Sequence, residues 1–146
     1  SFDLTGILGC KYPIIGGAMT GVSDPAFTAA ISEAGAFAST PPGSRHDLGA
    51  VREGIQECKR LTKKPFGVNV TLVAPIIDEL MDSCEGGIQA ITTGAGSPER
   101  FMPMLREAGV HVLPVVTSPR QAKKMEGGGV TAVIAEGMES GGNAGH

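Results

Sequence analysis

Tryptophan is absent from this chain, tyrosine occurs once and phenylalanine five times in 146 residues. With 41% of its residues apolar, the chain can build one domain with a sizeable core, but that core is expected to be aliphatic. No apolar run is long enough to span a bilayer, and no charged region followed by an apolar segment and a cleavage site opens the chain. A soluble cytoplasmic protein is the expectation. Positive charge is not in excess either: the formal net charge is -3, with no basic stripe, which argues against nucleic acid or an anionic membrane as partner. Cysteine is sparse. Cys10, Cys58 and Cys84 are far apart and lack CxxC spacing, which argues against a metal site or a disulfide framework. Cys58 and Cys84 fall on apolar faces of predicted helices, where cysteine acts as a small core filler.

What the chain has in quantity is punctuation. Its 22 glycines and 10 prolines fall singly or in short clusters between apolar runs, and they mark one recurring unit: a strand, a turn, a capped helix and a terminating glycine. The first unit runs from Pro13 to Met19, then to Asp24 as N-cap and Pro25 at the first helical position, with Phe27, Ala30, Ile31 and Ala34 on one face before Gly35. The second has a strand over 36–40 and a helix capped by Asp47 that turns Leu48, Val51, Ile55 and Leu61 inward. The third has a strand over 66–71, then Pro75 and a helix with Ile76, Ile77, Leu80, Met81 and Cys84 inward, stopped by Gly86 and Gly87. The fourth strand, 88–93, leads through Gly94 and Gly96 to a helix capped by Ser97, begun by Pro98, bent by Pro103 and ended by Gly109. The fifth strand, 110–116, precedes Ser118-Pro119 and a helix stopped by Gly127, Gly128 and Gly129. A sixth strand, with Val133 and Ile134 buried, runs into Glu136 and a glycine-rich loop.

Strands separated each time by one helix describe a parallel sheet with right-handed crossovers. A doubly wound sheet would show GxGxxG after its first strand, and Gly16-Gly17-Ala18-Met19-Thr20-Gly21 lacks that spacing. The expected fold is therefore an α/β (β/α)8 TIM barrel, of which these residues supply about six strands. In such a barrel the ligand site lies at the C-terminal ends of the strands. That rim collects Thr20 and Ser23, Arg45 and His46, Asn69 and Thr71, Thr92 and Thr93, Thr117 and Ser118, and Glu136. Lys59, Arg60, Lys63 and Lys64 instead close the second helix at the opposite rim, where cations complement the helix dipole.

Four stretches then carry a specific resemblance: Lys64-Pro-Phe-Gly-Val-Asn-Val70, Thr92-Thr-Gly-Ala-Gly-Ser-Pro98, Leu113-Pro-Val-Val116 and Ala132-Val-Ile-Ala-Glu-Gly-Met-Glu-Ser-Gly-Gly142. In this order they resemble the FMN-dependent enoyl-acyl carrier protein reductase II family and its kin, the nitronate monooxygenases (2-nitropropane dioxygenases). The resemblance implies a flavin across the barrel mouth. Gly17, Ala18, Met19 and Thr20 would line its ring system, Asn69 would hydrogen-bond the polar edge, and Glu136, Gly141 and Gly142 would fall within the site, with Thr93 and Gly94 nearby. It implies NADH or NADPH as hydride donor and a trans-2-enoyl thioester on acyl carrier protein as acceptor, the flavin relaying the hydride. The alternative within the family is oxidation of nitronates with oxygen.

Two departures bear on that choice. The family's glycine-rich loop usually continues into a histidine, a residue suited to acid and base work; here Asn143 stands there, and His146 follows three residues on, about 10 Å of extended chain. Asn143 and His146 are thus the candidates for polar catalysis, and the lack of a titrating group at 143 tells more against the nitronate reading. The loop after the second strand also reads Pro41-Pro42-Gly43 where the family tends to have glycines. Further, a closed barrel needs eight strands, so the chain reads as the N-terminal part of a single FMN-binding barrel domain over residues 1–146, with open edges that invite pairing with another chain, a homodimer included. A non-enzyme alternative is a barrel remnant that binds a phosphorylated ligand or a partner chain.

Overall fold

The computed structural model describes residues 2–40, 50–72, 85–94 and 96–141. Six parallel strands lie in chain order: β1 (Ile15–Gly16), β2 (Phe37–Thr40), β3 (Gly67–Val70), β4 (Ala90–Thr93), β5 (His111–Val116) and β6 (Ile134–Ala135). Each is paired in parallel with its predecessor. Strand order that never reverses excludes a doubly wound sheet. The chain is a half-barrel, an incomplete (β/α)8 barrel.

Local chemistry sets the helix ends. Helix α1 (Leu4–Leu8) was not expected from the pattern; Asp3 caps it by accepting from the Gly6 N–H, and Gly9 ends it at φ 70°. Helix α2 (Pro25–Glu33) starts as expected, with the Asp24 carboxylate accepting from Phe27 N at 2.7 Å. Helix α3 (Ala50–Leu61) follows. A 3₁₀ turn (Glu99–Phe101) leads into α4 (Met102–Glu107), and α5 (Pro119–Gly127) is capped by Ser118. The Asp47 cap, Leu48, the helix expected after Pro75 and the Pro41-Pro42-Gly43 loop lie outside the described residues.

Alternation along the strands divides two apolar layers. On the outer face, Val68, Val70, Ile91 and Val112 pack against Val51, Ile55 and Cys58 of α3 and Met102 and Leu105 of α4. On the inner face, Phe37, Ala90 and Leu113 close over Leu8, joined by Ile15, Ala132 and Ile134. Helix α1 thereby plugs the N-terminal end of the half-barrel, and Gln89 Nε2 holds it by donating to the Ile7 carbonyl at 2.7 Å.

Five expectations are corrected. The core is not purely aliphatic: Phe37, Phe66 and Phe101 are all buried. Helix α2 buries Thr28, Ala29 and Ser32, leaving Phe27, Ala30 and Ala34 exposed, because α2 packs on β2 and α3 through its small residues, where the backbones approach closely. On α3, Leu61 is exposed while Cys58 is buried. Pro103 does not bend a helix, because the 3₁₀ turn shifts the α-helical start to Met102 and places the proline in the first turn, where no N–H is required. The outer strands are short: β1 and β6 have two residues each, and Val133 is exposed, since an edge strand has a neighbour on one side only.

Candidate cofactor cleft

A cleft of about 770 Å³ opens at the C-terminal ends of the strands, where Gly16 to Thr20, Asn69, Thr92, Val115, Ile134, Glu136 and Gly141 converge. That size suits a small-molecule or cofactor site. Its floor is apolar, from Ile15, Val115 and Ile134, and its polar side chains are Asn69 on β3, Thr92 on β4, Glu136 just past β6 and Thr20 after β1.

β3 delivers Asn69 and β4 delivers Thr92 in register with it. The Thr92 hydroxyl donates to Asn69 Oδ1 at 2.8 Å. From β6 comes Glu136, whose backbone N–H donates to the Val116 carbonyl at 2.9 Å, carrying the ladder one residue past the strand. Its carboxylate accepts from Ser140 Oγ at 3.1 Å, a bond that ties the start of the glycine-rich loop to the strand end. After β1, the Ser23 hydroxyl accepts from Met19 N at 2.8 Å, which fixes the turn holding Ala18 to Thr20.

Two glycines bear on what the cleft can take. At Gly17 and at Gly141 an added Cβ would meet nothing within 4 Å, and neither has a positive φ. Neither packing against the described residues nor backbone conformation requires glycine there. Both line the cleft, so the missing Cβ atoms leave a smooth wall for a flat ligand.

Of the residues expected in a cofactor site, Gly17, Ala18, Met19, Thr20, Asn69, Glu136 and Gly141 line this one cleft. Thr93 does not: it is wholly buried on the helix side of β4, and the neighbouring Thr92, on the opposite face, takes the place at the cleft. The period of two decides between them, and the register with Asn69 was the missing signal. Gly94 lies just past the end of β4, outside the cleft lining. Gly142, Asn143 and His146 lie outside the described residues, as do Arg45 and His46.

A sequence model of the nitronate monooxygenase family matches residues 2–83 and 77–146. The chain belongs to the nitronate monooxygenase family. This family comprises FMN-dependent oxidoreductases. Nitronate monooxygenase of Pseudomonas aeruginosa is 31% identical over 182 aligned positions, which take in 97% of this chain and 51% of that protein. The structure of FabK from Thermotoga maritima superimposes with a TM-score of 0.87 at 41% identity, over 98% of this chain and 46% of that one. The nitroalkane oxidase of Streptomyces ansochromogenes gives a TM-score of 0.83 at 26% identity, over 97% of this chain and 50% of that one. The chain spans about half the length of the curated relatives it matches.

Within this family the cleft fits a flavin. The two unhindered glycines leave a flat surface, the floor is apolar, and Asn69 and Glu136 bring hydrogen-bonding groups to the same opening. No helix among the described residues is long and apolar enough to cross a membrane.

Proposed function

We propose that this chain is the N-terminal part of a single FMN-binding barrel domain whose activity is the NADH- or NADPH-dependent reduction of trans-2-enoyl thioesters on acyl carrier protein, in the cytoplasm. The observation that carries the reading is the cleft itself, with Gly17, Gly141, Asn69 and Glu136 around one opening at the C-terminal ends of the strands. The 41% identity to FabK, an enoyl-acyl carrier protein reductase II, favours the reductase chemistry. Bound there, FMN would supply a two-electron carrier able to accept and return hydride.

The protein's own groups have separate tasks. The turn from Gly17 to Thr20 would lie along the ring system, held in shape by the Met19 to Ser23 hydrogen bond. Asn69 would bond its polar edge. Glu136, tethered by Ser140, would present a hydrogen-bond acceptor on the far side. Asn143 and His146 remain candidates for polar catalysis, and a homodimer is proposed as one way of covering the open edges.

A second reading, oxidation of nitronates with oxygen, is favoured by the family match. Asn143 tells against the form of it that starts from the neutral nitroalkane, because drawing a proton from a nitroalkane needs a base and an amide does not titrate, whereas a nitronate is already deprotonated. The purified chain is incubated with FMN, freed of unbound cofactor and examined by visible absorption. A retained flavin band supports the site, and its absence refutes a self-sufficient flavoprotein. The loaded protein is then reduced anaerobically with NADH or NADPH and offered crotonyl thioester or, separately, oxygen with a nitronate. Reoxidation by the thioester alone supports the reductase; reoxidation tied to nitronate consumption supports the monooxygenase.

A further inference from the structure

An asparagine in a binding cleft is ambiguous until something fixes its amide, since one end accepts and the other donates. In this cleft the fixing group is on the adjacent strand. Asn69 and Thr92 are register partners on β3 and β4 and share the inner face. Thr92 is 6% exposed, its branched side chain has little rotational freedom, and its hydroxyl donates to Asn69 Oδ1 at 2.8 Å. That bond takes one of the two lone pairs of the carbonyl oxygen and turns this oxygen toward β4, which leaves the NH2 group as the end of Asn69 turned to the ligand. Across the cleft the charged group is Glu136, which as a carboxylate can only accept. The two walls therefore present opposite hydrogen-bonding character.

We infer that Thr92 is a positioning residue that locks the Asn69 amide with its N–H groups toward the ligand, so that the β3 side of the cleft takes a hydrogen-bond acceptor on the ligand's edge. Resting on the flavin reading above, this assigns to Asn69 a carbonyl or an unprotonated ring nitrogen of the isoalloxazine and excludes its N–H edge. Thr92 touches no ligand in this role. It acts through the orientation of its neighbour.

The test uses the whole chain and FMN affinity measured by quenching of flavin fluorescence. Thr92→Val keeps the shape and the strand preference but removes the donor, and should weaken FMN binding about five- to tenfold, the value of one hydrogen bond. Thr92→Ser retains the hydroxyl and should bind within about twofold of the parent by the same reasoning. Asn69→Asp has two equivalent oxygens and no orientation to lock, so adding Thr92→Val to it should cost nothing further. In flavin-free protein labelled with nitrogen-15, the Asn69 side-chain amide signals should move in Thr92→Val and return in Thr92→Ser.

Parental affinity in Thr92→Val would overturn the inference, as would a Thr92→Ser protein as weak as Thr92→Val, or full additivity with Asn69→Asp. If the parent chain takes up no FMN, the flavin reading fails separately. The flavin-free amide signals then decide the Thr92 role: displacement by valine and return with serine support it, and signals unmoved by valine overturn it.

Discussion

The middle of the sheet and its two ends are built from the same unit and differ in how completely they are enclosed. β4 is buried along its whole length between the inner layer and the helices, and β3 is buried but for Asn69. β1 and β6 are two-residue strands with no buried position, and the apolar side chains beside them, Ile14 at 59% and Met138 at 85%, stand in solvent. The same strand-turn-helix unit is thus a core when it has neighbours on both sides and an exposed edge when it has one. The cleft spans both regimes. Asn69 and Thr92 come from the enclosed middle, and Gly17 and Glu136 from the ends, so one wall of the site has neighbouring strands on both sides and the opposite walls stand at the sheet edges.

That contrast can be broken most severely at its centre. Leu105 is wholly enclosed beside Ile91 and Val112, and Leu105→Ala should cost about 2–5 kcal/mol in urea unfolding, through lost transfer energy and the cavity left behind. Unfolding at an unchanged midpoint would show that the outer layer is not the core of the half-barrel.

Thiol chemistry sharpens the same point. Burial first, with Glu57 and Asp24 adding to it, pushes the Cys58 thiol up to about 11, whereas Cys10 is partly exposed. Iodoacetamide at pH 8 should modify Cys58 far more slowly than Cys10, as followed by peptide mass mapping, since Cys58 is both buried and held as the neutral thiol. A raised folded value favours the neutral thiol in the folded state. This contribution is complete below the unfolded value near 9 and is lost as pH rises through about 11. Cys58→Ser should flatten that alkaline decline.

A helix cap carries a smaller effect. Asp24→Ala removes the bond to Phe27 N and should cost about 1 kcal/mol in thermal or urea unfolding, with Asp24→Ser recovering most of it. At the edges, Ile14→Thr and Val133→Thr should change stability by less than about 0.5 kcal/mol. They should nevertheless lower self-association in sedimentation velocity, since what they remove is apolar edge surface rather than packing. An edge variant as costly as the core one would erase the distinction.

The local parts of this architecture were legible in the chain. Asp24 before Pro25 and Ser118 before Pro119 announced helix starts that the structure bears out, because a cap needs only a short acceptor side chain and a free N–H two or three residues on. The Gly109 and Gly129 stops were equally readable, each with φ above 70°. From such signals the strand order and the barrel class followed. The face of α2 was not readable: apolar periodicity pointed to Phe27, and burial chose Thr28, Ala29 and Ser32, since only the distance between packed backbones tells whether a helix needs large side chains or small ones.

The sequence by itself determined the Asp24 and Ser118 helix starts, the glycine stops and that the sheet is parallel, and it pointed to the strand-end rim where the cleft opens, because these rest on interactions within a few residues and on the handedness of L-amino acids. Tertiary structure alone decided that Gly67 must be glycine, since a Cβ there would lie 2.5 Å from the Ala90 carbonyl oxygen and 3.0 Å from the Phe37 ring. It alone decided that Thr92 and not Thr93 faces the cleft. Both depend on strand register, which is fixed by contacts between residues about twenty or more positions apart and has no local signature, while a shift of one residue would turn every side chain to the other face.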